Sequence, residues 1–531
     1  MVNNNKKMKV SSGYSFYLLC MMFFASGKVY GQSALPVPFA FPEMKAPVFR
    51  KETFDIRKYG AKDGGLVLNS DAIRKAIIAC NAAGGGSVVI SKGVWLTGAV
   101  HLKSNVNLHL EEGAELRFSQ KFEDYLPVVL IQRGGFFCYN YSPFVYAKDC
   151  ENIAVTGKGI LNGQGQVWWP WKDRQPGMTQ LFQMGKSGVP IGQRIFGNEK
   201  AGVRPPFVQF LECKNILLED ITIIDGPSWN VHPVFSENIM IRKIRIRAHG
   251  PNNDGIDPDG CKNVLIEDCD IDVGDDNICL KSGRDEEAWK MGRPCENVVV
   301  RRCSTRAGHG GLVIGSEMSA GVRNVLVEDC HFAGTDRGLR FKSRVGRGGI
   351  VENVWARNIT MKDIKGEAIV FDLTYDSEPI EKNMKYGNNT ASVANAPVFR
   401  NFYIENIECD GAKRAISLRG LPGDYLHHIA FENIKVKSEN GVFCSYSKSV
   451  NFRNITLNHQ NGDAFQLENC SSIQFKEIDK VQKSAGFLNI KGSVSSGIAV
   501  YNNASKETDL KIVLEEGLDR AAILKIYPFE K

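Results

Sequence analysis

Short apolar runs, each opened by a small polar residue, recur along most of this chain. The clearest is Asn215-Ile216-Leu217-Leu218-Glu219-Asp220-Ile221-Thr222-Ile223, a β-branched and apolar stretch broken by an acidic pair. The phrase returns from Asn238, Asn263, Asn297, Asn324, Asn353 and Asn401, with weaker copies from Asn105, Asn152, His428, Ser449 and Ser472. From Asn215 onward the full copies are 23, 25, 34, 27, 29 and 48 residues apart. The short intervals suit one coil of a β-solenoid, and the long ones suit coils with loops inserted. A helix period is not expected between copies, which excludes the crossover helices of a doubly wound sheet. A propeller would need four strands per unit. The pattern therefore predicts an all-β chain folded as a parallel β-helix. The repeated asparagine falls at the turn that opens each strand, where stacked copies can form a hydrogen-bonded ladder.

A solenoid needs its ends covered. Ser70–Cys80 reads as a helix with Ala72, Ile73, Ala76, Ile77 and Cys80 on one face, capped by Asn69 or Ser70 and ended by Gly84-Gly85-Gly86. It is expected to plug the N-terminal end of the core, and the tail 484–531 to cover the other end. One catalytic domain, 32–531, is the resulting organisation.

Composition narrows the class. With 43% hydrophobic and 24% charged residues in 531, the chain is an ordinary folded protein. Beyond the N-terminus no apolar run approaches the ~20 residues of a membrane span, so no stable span is expected. Lys6, Lys7 and Lys9 precede an apolar run from Tyr14 to Ala25, and small residues follow to Gly31. Residues 1–31 read as a secretory signal peptide, implying export to a periplasm or the exterior. Removing Lys6, Lys7, Lys9 and Lys28 lowers the net charge from +7 to +3, which does not support nucleic acid as a partner. Of the 14 cysteines only Cys20 lies in that segment. The rest sit mostly inside apolar runs and read as small buried hydrophobes, with no CxxC pair for zinc.

The chemistry lies in four clusters: Pro251-Asn252-Asn253-Asp254-Gly255-Ile256-Asp257, Gly274-Asp275-Asp276-Asn277, Gly308-His309-Gly310-Gly311 and Arg340-Phe341-Lys342. Asp254 and Asp275 are about one coil apart and are expected to stack on one face. His309 and Arg340 follow one and two coils later, provided the insert near Arg284–Pro294 bulges outward. Carboxylates so close cannot all ionise cheaply, so at least one should keep a proton near neutral pH, the condition for a general acid beside a general base.

The order Asn-x-Asp, Asp-Asp, Gly-His-Gly, Arg-x-Lys resembles the polygalacturonases, glycoside hydrolase family 28, and more specifically their bacterial exo-acting type. The usual Asn-Thr-Asp is Asn252-Asn253-Asp254 here, and the usual Arg-Ile-Lys is Arg340-Phe341-Lys342, so only middle residues differ. The resemblance runs from about Phe54 to at least Leu457. It implies a right-handed β-helix and an inverting hydrolysis that needs no metal or other cofactor. On it, Asp275 matches the general acid, Asp254 and Asp276 match the pair that activates water, and His309 matches the histidine supporting the acid. Arg340, Lys342 and Asn252 match substrate-binding residues, the two cations gripping a sugar carboxylate. Inversion calls for roughly 6.5–9.5 Å between acid and base carboxyls.

The implied partner is a pectic polysaccharide or oligogalacturonide. Long inserts at Gln164–Pro206, Arg284–Pro294 and Tyr375–Ala396 can wall off one end of a cleft, which favours exo action. The first holds Trp168, Trp169 and Trp171, which could equally pack within it. A rhamnogalacturonan-type or endo-acting hydrolase of the same family is the alternative. A pectate lyase or a non-catalytic glycan-binding solenoid is more remote, since neither calls for a carboxylate trio beside a Gly-His-Gly turn.

Overall fold

The computed structural model describes residues 37, 39–174, 176–375, 394–480, 486–502 and 511–528. The signal peptide read over 1–31 and most of the Tyr375–Ala396 insert lie outside them. The chain divides into Met1–Pro38 and Phe39–Lys531, and the second unit carries all that follows.

The repeat phrase forms a right-handed parallel β-helix, as the sequence pattern and the resemblance predict. Ile216, Ile239, Val264, Val298, Val325, Val354 and Phe402 occupy one register position on successive coils and are sealed in the core. Burying each such side chain is worth about 1.5–3 kcal/mol, so a column of them binds each coil to the next. The asparagine ladder is continuous. Asn152 donates to Asn105, Asn215 to Asn152, and so on coil by coil to Asn401, at 3.0–3.3 Å. Each rung has φ near +55°, a conformation that asparagine tolerates better than most residues. His428, Ser449 and Ser472, the weaker copies, take the same backbone turn.

The N-terminal helix, α1, spans Ser70–Ala82 and buries the five predicted residues. Its cap differs from expectation. The Asn69 side chain makes no capping bond and instead ties Lys62, Val67 and Leu96 together, while the Ser70 hydroxyl accepts from the Gly98 amide. The tail is not a separate cover: strands Leu488–Lys491, Ile498–Asn502, Ile512–Leu514 and Leu524–Pro528 pair in parallel with one another and extend the solenoid by further coils. Its weak apolar phrases still alternate well enough to stack.

The expectation of no helices between copies also fails. Helix α2, Pro176–Lys186, lies in the first insert and α3, Asp285–Met291, in the second. Neither is a crossover; both sit on the outside of the coil. Trp168 and Trp171 join an aromatic cluster with Phe122 and Tyr141, whereas Trp169 donates its indole N–H to the Gly226 carbonyl at 3.0 Å and lies against Gly250, next to the Asn252-Asn253-Asp254 turn. All thirteen described cysteines are free and buried.

Candidate active site

The four clusters converge on the outward face of one strand stack. Ile256 pairs with Ile278, Asp276 with Gly310, and Val313 with Arg340. Arg340 alternates outward between the inward Leu339 and Phe341, and the contacts of Asp276 with Arg340 and Lys342 and of Asp254 with Lys281 bring both carboxylates to the same outward face. The register places Asp276 above Asp254, as the Asp276 carbonyl accepts from the Gly255 amide at 2.9 Å. Asp275 therefore stands one residue earlier, on the turn, instead of directly over Asp254 as its spacing suggested. The insert after Arg284 does bulge outward, as α3, and keeps His309 in step.

Each group has defined partners. His309 Nδ1 lies 2.8 Å from Asp275 Oδ1, and the His309 amide donates to the Asp275 carbonyl at 2.9 Å. That approach requires glycine at 308, where φ is +99° and a Cβ would sit 2.2 Å from the same carbonyl. Lys342 Nζ donates to Asp276 Oδ2 at 2.7 Å, and Arg340 Nη1 to Asp276 Oδ1 at 3.2 Å. Both cations also lie over the Tyr375 ring, 5.0 Å and 5.5 Å from its centre. Asn252 gives its amide to Asp275 Oδ2 at 3.3 Å and accepts from Arg204 Nη2 at 2.7 Å. In the ligand-free protein, then, three residues expected to hold substrate hold the carboxylates instead.

These contacts separate the carboxyls electrostatically. Burial and the nearby Asp275 charge push Asp254 up to about 7. Burial would raise Asp276 as well, but Lys342 and Arg340 outweigh it and hold it at about 2. The hydrogen bond to Asp275 raises His309 above its ordinary value, favouring imidazolium. Near neutrality Asp254 is therefore poised to hold a proton beside a firmly ionised Asp276. The sequence argument called for that condition. The nearest oxygens of Asp275 and Asp276 lie within 4.8 Å, closer than the roughly 6.5–9.5 Å expected between the centres of an acid and a base carboxyl.

Several residues at the site were not singled out from sequence. Lys281 lies beneath Asp254, 3.4 Å from its Oδ2 and 3.7 Å from Glu317, which is itself paired with Arg284. Arg204 is wholly buried and fixes the turn through the carbonyls of Pro227 and Pro251 as well as Asn252. Asp257 is buried beside Cys279, and burial and the Asp254 charge raise its carboxyl well above the usual range. Asp254, Asp257 and Cys279 are close enough to share a cation. A protonated Asp257 next to Lys281 suits protons better than a divalent ion. In the other such group, Asp275, Asp276 and His309, both Asp276 oxygens are already taken by cations. Lys281 continues the outward alternation from Cys279, between the inward Ile278 and Leu280, and was legible; Arg204 sits in an insert outside the repeat and was not.

Comparison with known proteins now bears on the site. Residues 196–441, which contain all four clusters, match the family described as Glycosyl hydrolases family 28. A grapevine (Vitis vinifera) protein named "Probable polygalacturonase" is 30% identical over 405 residues, covering 74% of this chain and 76% of its own. The chain belongs to glycosyl hydrolase family 28. It is a glycoside hydrolase. A Dickeya chrysanthemi protein named "Exo-poly-alpha-D-galacturonosidase" is 26% identical over 452 residues, covering 77% of this chain and 71% of its own. The solved structure of an exopolygalacturonase from Thermotoga maritima superposes with a TM-score of 0.73 at 37% identity, covering 78% of this chain and 94% of that one.

One part of the family 28 site is local to this chain's inserts. A hairpin of strands Val129–Arg133 and Phe136–Asn140 lies over the outward face on the N-terminal side of Asp254. It is fastened to the segment before Phe196 by a Tyr139–Ile195 bridge and to α3 by Glu287, which accepts from the Phe137 amide at 3.2 Å and pairs with Arg194 at 2.6 Å. Gly135 at its tip approaches Arg284 so closely that a Cβ would meet that side chain at 2.6 Å. Beneath the hairpin Gln132, Gln209, His232, Asp257 and Asp259 are wholly sealed although they stand on the outward face.

Proposed function

We propose that the chain is an exo-acting, inverting polygalacturonase that removes galacturonate from the end of a pectic chain. Asp275, the most exposed of the three carboxyls, donates the proton to the glycosidic oxygen. Asp276, kept ionised by Lys342 and Arg340, holds the attacking water together with Asp254, and His309 and Asn252 position Asp275. As the leaving sugar arrives, its carboxylate draws on the donors of Arg340 and Lys342 that Asp276 leaves free. Asp275 gives its proton to the leaving oxygen as the bond breaks, and the water's proton is left on the Asp254–Asp276 side.

The observation that carries exo action is the seal over Gln209, His232, Asp257 and Asp259. A polymer crossing the site in both directions needs that outward face open. Here the hairpin, the α2 insert and α3 close it one coil before Asp254. Exo-acting relatives on both comparisons are consistent with this. Export fits as well, since a pectic polymer is met outside the cytoplasm; the reading of 1–31 as a signal peptide supports it. The test is to digest polygalacturonate and separate the early products. Monomer from the first time point is expected; a ladder of oligomers without monomer makes the enzyme endo-acting.

A further inference from the structure

The closed end contains a cation with no partner. Arg133 ends the first hairpin strand and is only 4% exposed. Among the described residues its guanidinium makes no hydrogen bond and no ion pair, and its Nε and Nη1 are sealed without an acceptor. It rests on the Trp229 ring, 4.5 Å from the centre, and Lys281 also approaches that ring at 4.5 Å. The contrast with its neighbours is informative. Lys281 has Asp254 and Glu317, Arg340 and Lys342 have Asp276, and Arg204 has two carbonyls and Asn252. A buried charge without a partner is costly, and the usual resolution is a counter-charge supplied by another group. The same ring carries Lys281, the partner of Asp254, so Arg133 is joined to the reacting centre through Trp229. Trp229 leads into the strand one coil before Asp254, whereas Arg340 and Lys342 stand three coils after Asp254.

We propose that Arg133 binds the carboxylate of the terminal galacturonate in the closed end, and so selects for an acidic end sugar on the side of the scissile bond away from Arg340 and Lys342. Trp229 holds the guanidinium in place without neutralising it, which leaves its charge for the ligand. The hairpin precedes residues 196–441, the segment that matches the family description. The inference rests on the exo reading.

The test uses the whole enzyme with Arg133→Met and Arg133→Lys. Its substrates are trigalacturonate and two derivatives, each with the carboxyl of one terminal sugar reduced to the alcohol. Wild type is expected to cleave one derivative at least tenfold less well than the trimer. Arg133→Met is expected to lose tenfold or more in kcat/KM on the trimer and to treat that derivative and the trimer alike, while Arg133→Lys restores part of the discrimination. If Arg133→Met keeps the wild-type discrimination, or loses rate equally on every substrate with a lowered melting temperature, the proposal is overturned. Failure of the exo reading shows separately, as an oligomer ladder from wild type on polygalacturonate.

Discussion

Replacing Asp254 by asparagine should inactivate the enzyme and stabilise the fold, and the stabilisation should depend on pH in a defined direction. Burial and the charge of Asp275 raise the Asp254 carboxyl from an ordinary 3.8 to about 7. A folded value above the unfolded one means that the unfolded chain gives up this proton more readily. The charged form therefore costs stability as pH rises through that interval, and the full cost is present above about 7. About three pH units at 1.36 kcal/mol each is ~4 kcal/mol at most. An amide of the same shape is never charged and escapes that cost. Lys281 keeps Glu317 as a partner in the variant. For a chain of this size ~4 kcal/mol corresponds to roughly 4 °C in melting temperature. Scanning calorimetry of wild type and Asp254→Asn at pH 4 and pH 8 is the assay, with polygalacturonate hydrolysis measured alongside. The variant should melt higher than wild type at pH 8, should lose most of that advantage at pH 4, and should be inactive at both. A variant that melts lower than wild type at pH 8 refutes the electrostatic account of the site.

Other outcomes follow from the same contacts. Asp275→Asn keeps shape and removes the proton, so activity should fall at least about 10²-fold with melting unchanged within 2 °C or so; retention of a tenth of the activity removes Asp275 from the acid role. In wild type, kcat/KM should decline about tenfold per pH unit above about 7, as the raised Asp254 carboxyl loses its proton; a profile flat to pH 9 contradicts it. Lys342→Met removes a charge-assisted hydrogen bond of about 1.5–3 kcal/mol and should cost tenfold or more on polygalacturonate. If Lys342 grips the sugar carboxylate as well as Asp276, the loss on methyl-esterified polymer is smaller; equal losses on both leave it only the Asp276 contact. Asn263→Ala breaks the ladder to Asn238 and Asn297 at φ +57° and should cost about 2–4 kcal/mol in denaturant unfolding with kcat unchanged.

The repeat was legible because each coil repeats one local solution: an asparagine at positive φ, then inward β-branched residues. That grammar fixed the fold and predicted the ladder rung by rung. The four clusters were legible because they sit on it, one coil after another. The exact stacking was not, because the turn before Asp276 shifts register by one residue, and only the pairing of Ile256 with Ile278 reveals that Asp276 lies over Asp254. The inserts escaped for a different reason. Helix α2 carries Gly177 and Gly185, poor helix residues, and owes its stability to packing of Met178 and Leu181 with Phe136. Arg204 reaches the site through the first insert and Arg133 through the Val129–Asn140 hairpin, and in neither does a repeat period say which way a side chain points. The tail 484–531 carries no clear copy of the phrase, yet its strands Leu488–Lys491 and Ile498–Asn502 pair onto the preceding coils.

The account stands most directly on one experiment: proton NMR of polygalacturonate digestion from the first seconds, following anomer and product length together. An enzyme that delivers its proton from Asp275 and its water from the Asp254–Asp276 side, at a site closed by the hairpin, must release free galacturonate whose anomeric configuration is inverted from that of the bond cleaved, before mutarotation mixes the signals. Galacturonate appearing first with the anomeric configuration retained would contradict that arrangement of carboxyls.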